Sequence, residues 1–207
     1  MEVLNSVAVL VGSSWASGVN LYLTVAGLGI ADRMGFIELP GNLDIISHPL
    51  IIALAIVLVL IEFFADKIPY VDSAWDSIHT FIRPLGGAAL AYLGTADVGP
   101  LVQVPAALLS GAVSMDSHLT KATTRVAINT SPEPVTNSIA SVTEDSLVVT
   151  VLWLVATHPV IAIICVIAFL IFSVWFLKIM FRFVKKVFKF IGGSKEDVKN
   201  EISKENS

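Results

Sequence analysis

The sequence predicts an all-α integral membrane protein, a polytopic helical bundle made of two duplicated halves with broken or re-entrant helices. Three observations predict it. The 207 residues are 55% apolar and only 14% charged, whereas a soluble domain is nearer a quarter charged. Mean hydropathy is +0.81, and the apolar residues gather in runs long enough to cross a bilayer. The polar residues between those runs recur at helical spacing, so they form faces. The formal net charge of −4 says little, because the charge is segregated by segment. Basic residues are few and lie mostly at the far end, so no nucleic-acid partner is expected.

The N-terminus, MEVLNSVAVLVGSSW, lacks the positive n-region of a cleaved signal peptide and is read as part of the mature protein. Val3 to Ile30 is apolar but rich in Gly and Ser. It reads either as one membrane helix or as a broken pair around Ser13 to Gly18. Small residues let helices approach closely in lipid, and Asn20 must face protein or water. Asp32 and Arg33 mark the exit. Pro40 and Gly41 turn the connector from Gly35 to Ser47. At Ser47-His48-Pro49 the proline suits a first helical position and His48 caps the helix. The apolar run beyond it carries Glu62 near its end and Asp66 just after.

Glu62 to Pro84 organises the chain. After Pro69 it reads as a short helix on which Asp72, Asp76, His79 and Arg83 share one face, spaced four, three and four apart. Ile78, Phe81 and Ile82 lie off that face. Leu85 to Val113, interrupted by Asp97, Pro100 and Pro105, reads as two short hydrophobic pieces. Ser114, His118, Lys121 and Arg125 then repeat the four-three-four spacing as a basic face, with Asn129 four beyond. Ser131-Pro132 reads as a helix start. From Glu133 the polar stripe Asn137, Ser141, Asp145 follows at intervals of four, with Glu144 adjacent. A carboxylate pair at the mouth of a membrane helix should not face lipid.

Thr157-His158-Pro159 echoes Ser47-His48-Pro49 at a distance of 110 residues, and each precedes a long apolar run. Interrupted segments in matching places are the mark of transporter-like duplication. The expected organisation is a transmembrane domain over 1–190, with repeat halves 1–84 and 85–190, and a polar, disordered cytoplasmic tail over 191–207. Lys178, Arg182, Lys185, Lys186 and Lys189 follow the last span, which places the C-terminus in the cytoplasm. Cys165, the one cysteine, reads as an inert apolar filler. Trp15, Trp75, Trp153 and Trp175 read as interface anchors or packing.

At SGVNLYLTVAGLGIADR, EFFADKIPYVDSAWDSIHTFIRP and NTSPEPVTNSIASVTED the chain resembles the bacterial membrane proteins of domain-of-unknown-function family 4126. The resemblance covers nearly everything except the tail. It implies a small polytopic membrane protein of bacteria and supplies no activity; the expected location is the bacterial inner membrane.

The candidate cavity residues are Asn20, Glu62, Asp66, Asp72, Asp76, His79, Arg83, His118, Lys121, Arg125, Asn129, Glu133, Asn137, Glu144 and Asp145. The leading expectation is a transporter, flippase or channel with these residues lining a wet site between the halves. Ionisable groups at the centre of a span cost about 2.5–3.5 kcal/mol each on insertion scales, so a reason to keep them is needed. A second class is an embedded enzyme acting on a lipid phosphate, with Arg83, Lys121 and Arg125 as the clamp and His79 as acid or base. No zinc helix signature or nucleophile elbow supports it. A third is a structural or assembly protein with solvated surface charges. Asp72, Asp76 and His79 are weak candidates for a divalent metal, and no cofactor is expected. The expected partners are the bilayer and an unidentified small-molecule, ion or lipid substrate, with homo-oligomerisation left open.

Overall fold

The computed structural model describes residues 2–128 and 134–205, and among these there are seven α-helices and no strand. The helices are α1 (Glu2–Val19), α2 (Leu21–Arg33), α3 (Pro49–Ala65), α4 (Pro69–Gly94), α5 (Pro100–Ile128), α6 (Pro134–Thr157) and α7 (Pro159–Glu205). Short 3₁₀ turns lie at Leu43–Ser47 and Ala96–Val98. Two helical segments, Val135–Thr157 and Pro159–Arg182, are long and apolar enough to cross a membrane.

The first apolar segment is a broken pair, and the break falls at Asn20 rather than within Ser13 to Gly18. Asn20 leaves the helical region at φ −149°, ψ 99°, and its side-chain oxygen accepts the Leu23 N–H at 2.9 Å. Asparagine suits this position because its short amide replaces a missing backbone partner at a helix start. His48 caps α3 in the same way, accepting the Leu50 N–H at Nδ1, with Pro49 in the first turn.

α1 is the central element. It packs on α4, α5, α6 and α7, while α4 and α5 form the most extensive pair. Serines line the α1–α4–α5 seam. Ser14 and Ser110 share a hydrogen bond of 2.6 Å, Ser17 donates to Ser114 at 3.1 Å, and Ser117 donates to the Trp15 carbonyl at 2.8 Å. Ser110 and Ser114 also donate to the Gly87 and Arg83 carbonyls of α4. Gly18 makes the close approach possible, since a Cβ there would collide with Ser117 Oγ and the Ser114 carbonyl. The connector after α2 is held by Asp32, which accepts from Ser47 Oγ at 2.6 Å and from the Leu39 N–H. Its turn at Gly41 has φ +60°, a region open to glycine, and Asn42 N–H bonds Leu93 O at the end of α4.

One sequence expectation needs correction. The helix expected to end at Pro84 runs on to Gly94 with Pro84 inside it, because α4 stays packed on α5 along this stretch. The two hydrophobic pieces of 85–113 are therefore the end of α4 and the start of α5, parted at Gly99 (φ +86°). The expected boundary at 84/85 also lies inside α4. The backbone of α7 is helical through Glu205. The stretch KEDVKNEISKE is rich in Lys and Glu, good helix formers.

The buried interior is unusually polar, and many large apolar side chains are exposed. Buried polar and charged residues outnumber buried apolar ones among the described residues. Leu54, Phe64, Ile78, Phe81, Leu101, Leu108 and Ile171 are all exposed, as is Cys165. Trp15 is buried edge-on against Phe169, whereas Trp153 and Trp175 face outward.

Candidate functional site

α3, α4, α5 and α6 bring their charged residues to one place beside the α1–α2 break. Arg83 of α4 is wholly buried. Its Nη2 donates to Glu62 Oε1 at 2.7 Å, and its Nη1 donates to His118 Nδ1 at 2.9 Å and to the Gly18 carbonyl at 3.2 Å. Asp76 Oδ1 is 3.5 Å from the same Nη1. Lys121 of α5 sits among Asp66 at 3.3 Å, Glu62 at 3.5 Å and Glu144 at 3.5 Å, and donates to the Val19 carbonyl at 3.2 Å. Arg125 grips Glu144 with two bonds, Nε to Oε1 at 3.1 Å and Nη2 to Oε2 at 2.6 Å. It also approaches Asp66 at 3.5 Å and Asp72 at 3.9 Å, and donates to the Asn137 carbonyl. A planar guanidinium matches a carboxylate in this two-bond way.

The broken helix takes part. The carbonyls of Gly18 and Val19, at the negative end of α1, accept from Arg83 and Lys121. Asn20, which opens α2, donates from Nδ2 to Asp145 Oδ1 at 3.0 Å.

The two histidines are fixed as distinct tautomers. A guanidinium only donates, so His118 Nδ1 is bare and Nε2–H donates to Thr80 Oγ1 at 3.0 Å, which donates to the Asp76 carbonyl. His79 Nδ1–H donates to the Trp75 carbonyl at 2.8 Å, leaving Nε2 to accept from the Tyr22 hydroxyl at 3.0 Å. Trp75 stacks on His79 with ring centroids 4.7 Å apart.

Of the fifteen sequence candidates, Asn129 and Glu133 lie outside the described residues. The structure gathers the rest around α3–α6 and the α1–α2 break; Glu144 and Asp145 are half-buried and the others are buried. The pairing differs in detail from the sequence pattern. Glu62, Asp66 and Glu144, not the acids of α4, make the tightest contacts to the basic face of α5. The metal candidates Asp72, Asp76 and His79 do not form a metal centre. Both His79 nitrogens are engaged, and no group of three or more His, Cys, Asp or Glu among the described residues is arranged to hold a metal.

Tyr22 and Thr80 were not visible as site residues, because one sits in an apolar run and the other falls off the four-three-four stripe. Asp116 was also missed. It accepts a 2.5 Å bond from Ser173 and joins α5 to α7.

A family model matches residues 7–179, its description being Domain of unknown function (DUF4126). The chain belongs to the DUF4126 family. The match takes in every described residue of the charged cluster. No curated protein and no solved structure matches the chain.

Proposed function

We propose that this DUF4126 protein is a polytopic membrane transporter of the bacterial inner membrane, with its C-terminus in the cytoplasm and the charged cluster as its translocation site. One observation carries the reading: three cations and their carboxylates are buried between helices whose outward faces are large apolar side chains. Lipid around the bundle accounts for the apolar exterior. Structural stability alone does not account for the interior, since a well-packed apolar core is commonly as stable as a buried ion-pair network. A discontinuous helix that turns its carbonyl end toward the cations is also the arrangement in which transporters place their sites. The basic residues of α7 from Lys178 on support the orientation. The lipid-phosphate enzyme fits less well. Arg83, Lys121 and Arg125 are each clamped by carboxylates, and both nitrogens of His79 are engaged.

A transport site must open to water, whereas a structural cluster need not. Ser141 reports on this. It is fully buried on the face of α6 that carries Asn137 and Asp145, and its hydroxyl has no hydrogen-bond partner among the described residues. With Cys165 replaced by serine, Ser141→Cys is expected to react with a membrane-impermeant thiol reagent in intact vesicles. Cys165 itself, on the outward face of α7, is expected to stay unlabelled in the parent protein. Labelling of Ser141→Cys only after denaturation contradicts a transport site.

A further inference from the structure

Resting on the transport reading, we propose that the species this site binds is the proton, held on Asp76 and Asp145. Among the described residues the cluster contains six carboxylates, Glu62, Asp66, Asp72, Asp76, Glu144 and Asp145, against three cations within ion-pair distance, Arg83, Lys121 and Arg125, with Lys67 farther off beside Asp145. Three of the carboxylates neutralise the cations at short range. Glu62 holds Arg83 at 2.7 Å, Glu144 holds Arg125 at 2.6 Å, and Asp66 lies nearest to Lys121 at 3.3 Å. Asp72 lies 3.9 Å from Arg125, while Asp76 and Asp145 have no cation to themselves among the described residues.

Asp76 is 5% exposed, and neither of its carboxyl oxygens has a hydrogen-bond partner among the described residues. Its one nearby cation, Arg83 at 3.5 Å, is already committed to Glu62. Asp145 has no cation within ion-pair distance among the described residues and bonds only the Asn20 amide. An uncompensated carboxylate in a low-dielectric interior takes up a counter-charge or a proton.

The surroundings favour the proton. A hard metal cation needs a shell of several oxygens, and no group of three or more His, Cys, Asp or Glu among the described residues is so arranged. A proton needs one oxygen. Asp76 is faced by Asp72, His79 and Arg83 on its own helix, by Glu62 from α3 and by the neutral His118 from α5. Asp145 is faced by Glu62, Asp66 and Lys67 at the end of α3, by Lys121 from α5 and by Asn20 from α2, beside Glu144 on its own helix. The cations among these groups are shared with the paired carboxylates.

Infrared spectroscopy of the full chain in liposomes tests this. At neutral pH the protein is expected to show the C=O stretch of a protonated carboxylic acid, shifted in D2O. Asp76→Asn and Asp145→Asn are each expected to remove part of that band, while the exposed Glu38→Gln leaves it unchanged. Both Asn variants mimic the protonated acid, so their melting temperatures should stay close to that of the parent. A spectrum without the band, or a band indifferent to both substitutions, overturns the proposal. Loss of the band on adding Na⁺ or K⁺ at constant pH overturns it in favour of a metal cation. Ser141→Cys labelling reads opening and not protonation, so failure here leaves that result intact and is distinguishable from failure of the transport reading.

Discussion

Arg83→Ala is expected to destabilise the protein by about 3–5 kcal/mol, the cost of stranding one member of a buried ion pair. The size follows from what Arg83 holds. Glu62, fully buried, loses its 2.7 Å partner, and the Gly18 carbonyl and His118 Nδ1 lose their donor. Four helices are affected at once, because Arg83 of α4 ties together α1, α3 and α5. Arg83→Lys keeps the charge but loses the planar fork, so it should recover only part of the loss. Lys178→Ala, on the exposed side of α7, should stay within about 0.5 kcal/mol of wild type. Thermal unfolding of the purified variants in detergent checks the series. Equal melting temperatures for Arg83→Ala and Lys178→Ala would refute it.

The second large effect is expected at Gly18. A Cβ there meets the Ser114 carbonyl, which is backbone of α5 and cannot swing aside. Overpacking a tight contact costs about 1–3 kcal/mol, so Gly18→Ala should fall in that range. Gly18→Val should prevent accumulation of folded protein. The damage also reaches the charged cluster, because moving α1 away from α5 carries the Gly18 and Val19 carbonyls from Arg83 and Lys121. Gly27→Ala is the useful contrast. Its added carbon meets only the tip of Leu152, a side chain that can rotate, so it should cost less. Expression level and melting temperature measure both, and a Gly18→Val protein that folds like the parent would remove Gly18 from the account.

Much of the site was legible in the sequence because helical spacing is strict. Residues four, three and four apart must share a face, so the alignment of Asp76 with Arg83 and of Lys121 with Arg125 needed no structure. The cap at His48 was legible too, and Pro49 and Pro159 open α3 and α7 as expected, whereas the His158 ring bonds the Thr157 hydroxyl. What spacing cannot give is which faces meet. Glu62 and Asp66 come from a different helix, and their contacts with Lys121 span more than fifty residues of sequence. The break at Asn20 was hidden for a related reason. An asparagine in a Gly- and Ser-rich run fits a continuous helix as readily as a cap until Asp145 is seen to hold its amide. Prolines misled in the other direction. The helix after Pro69 reads as short, yet tertiary packing against α5 carries α4 through Pro84 to Gly94.

The central claim is that the basic face of α5 and the acidic residues of its neighbours pair inside the protein. A double-mutant cycle on Arg125 and Glu144 tests it most directly, because their two-bond contact is the best defined in the cluster. Arg125→Ala, Glu144→Ala and the double variant would be compared by reversible unfolding in mixed micelles. The account predicts a coupling energy above about 1.5 kcal/mol, in the range of close, desolvated charge pairs. Single-variant effects that add to within about 0.5 kcal/mol would mean two independent, solvated side chains, and would contradict it.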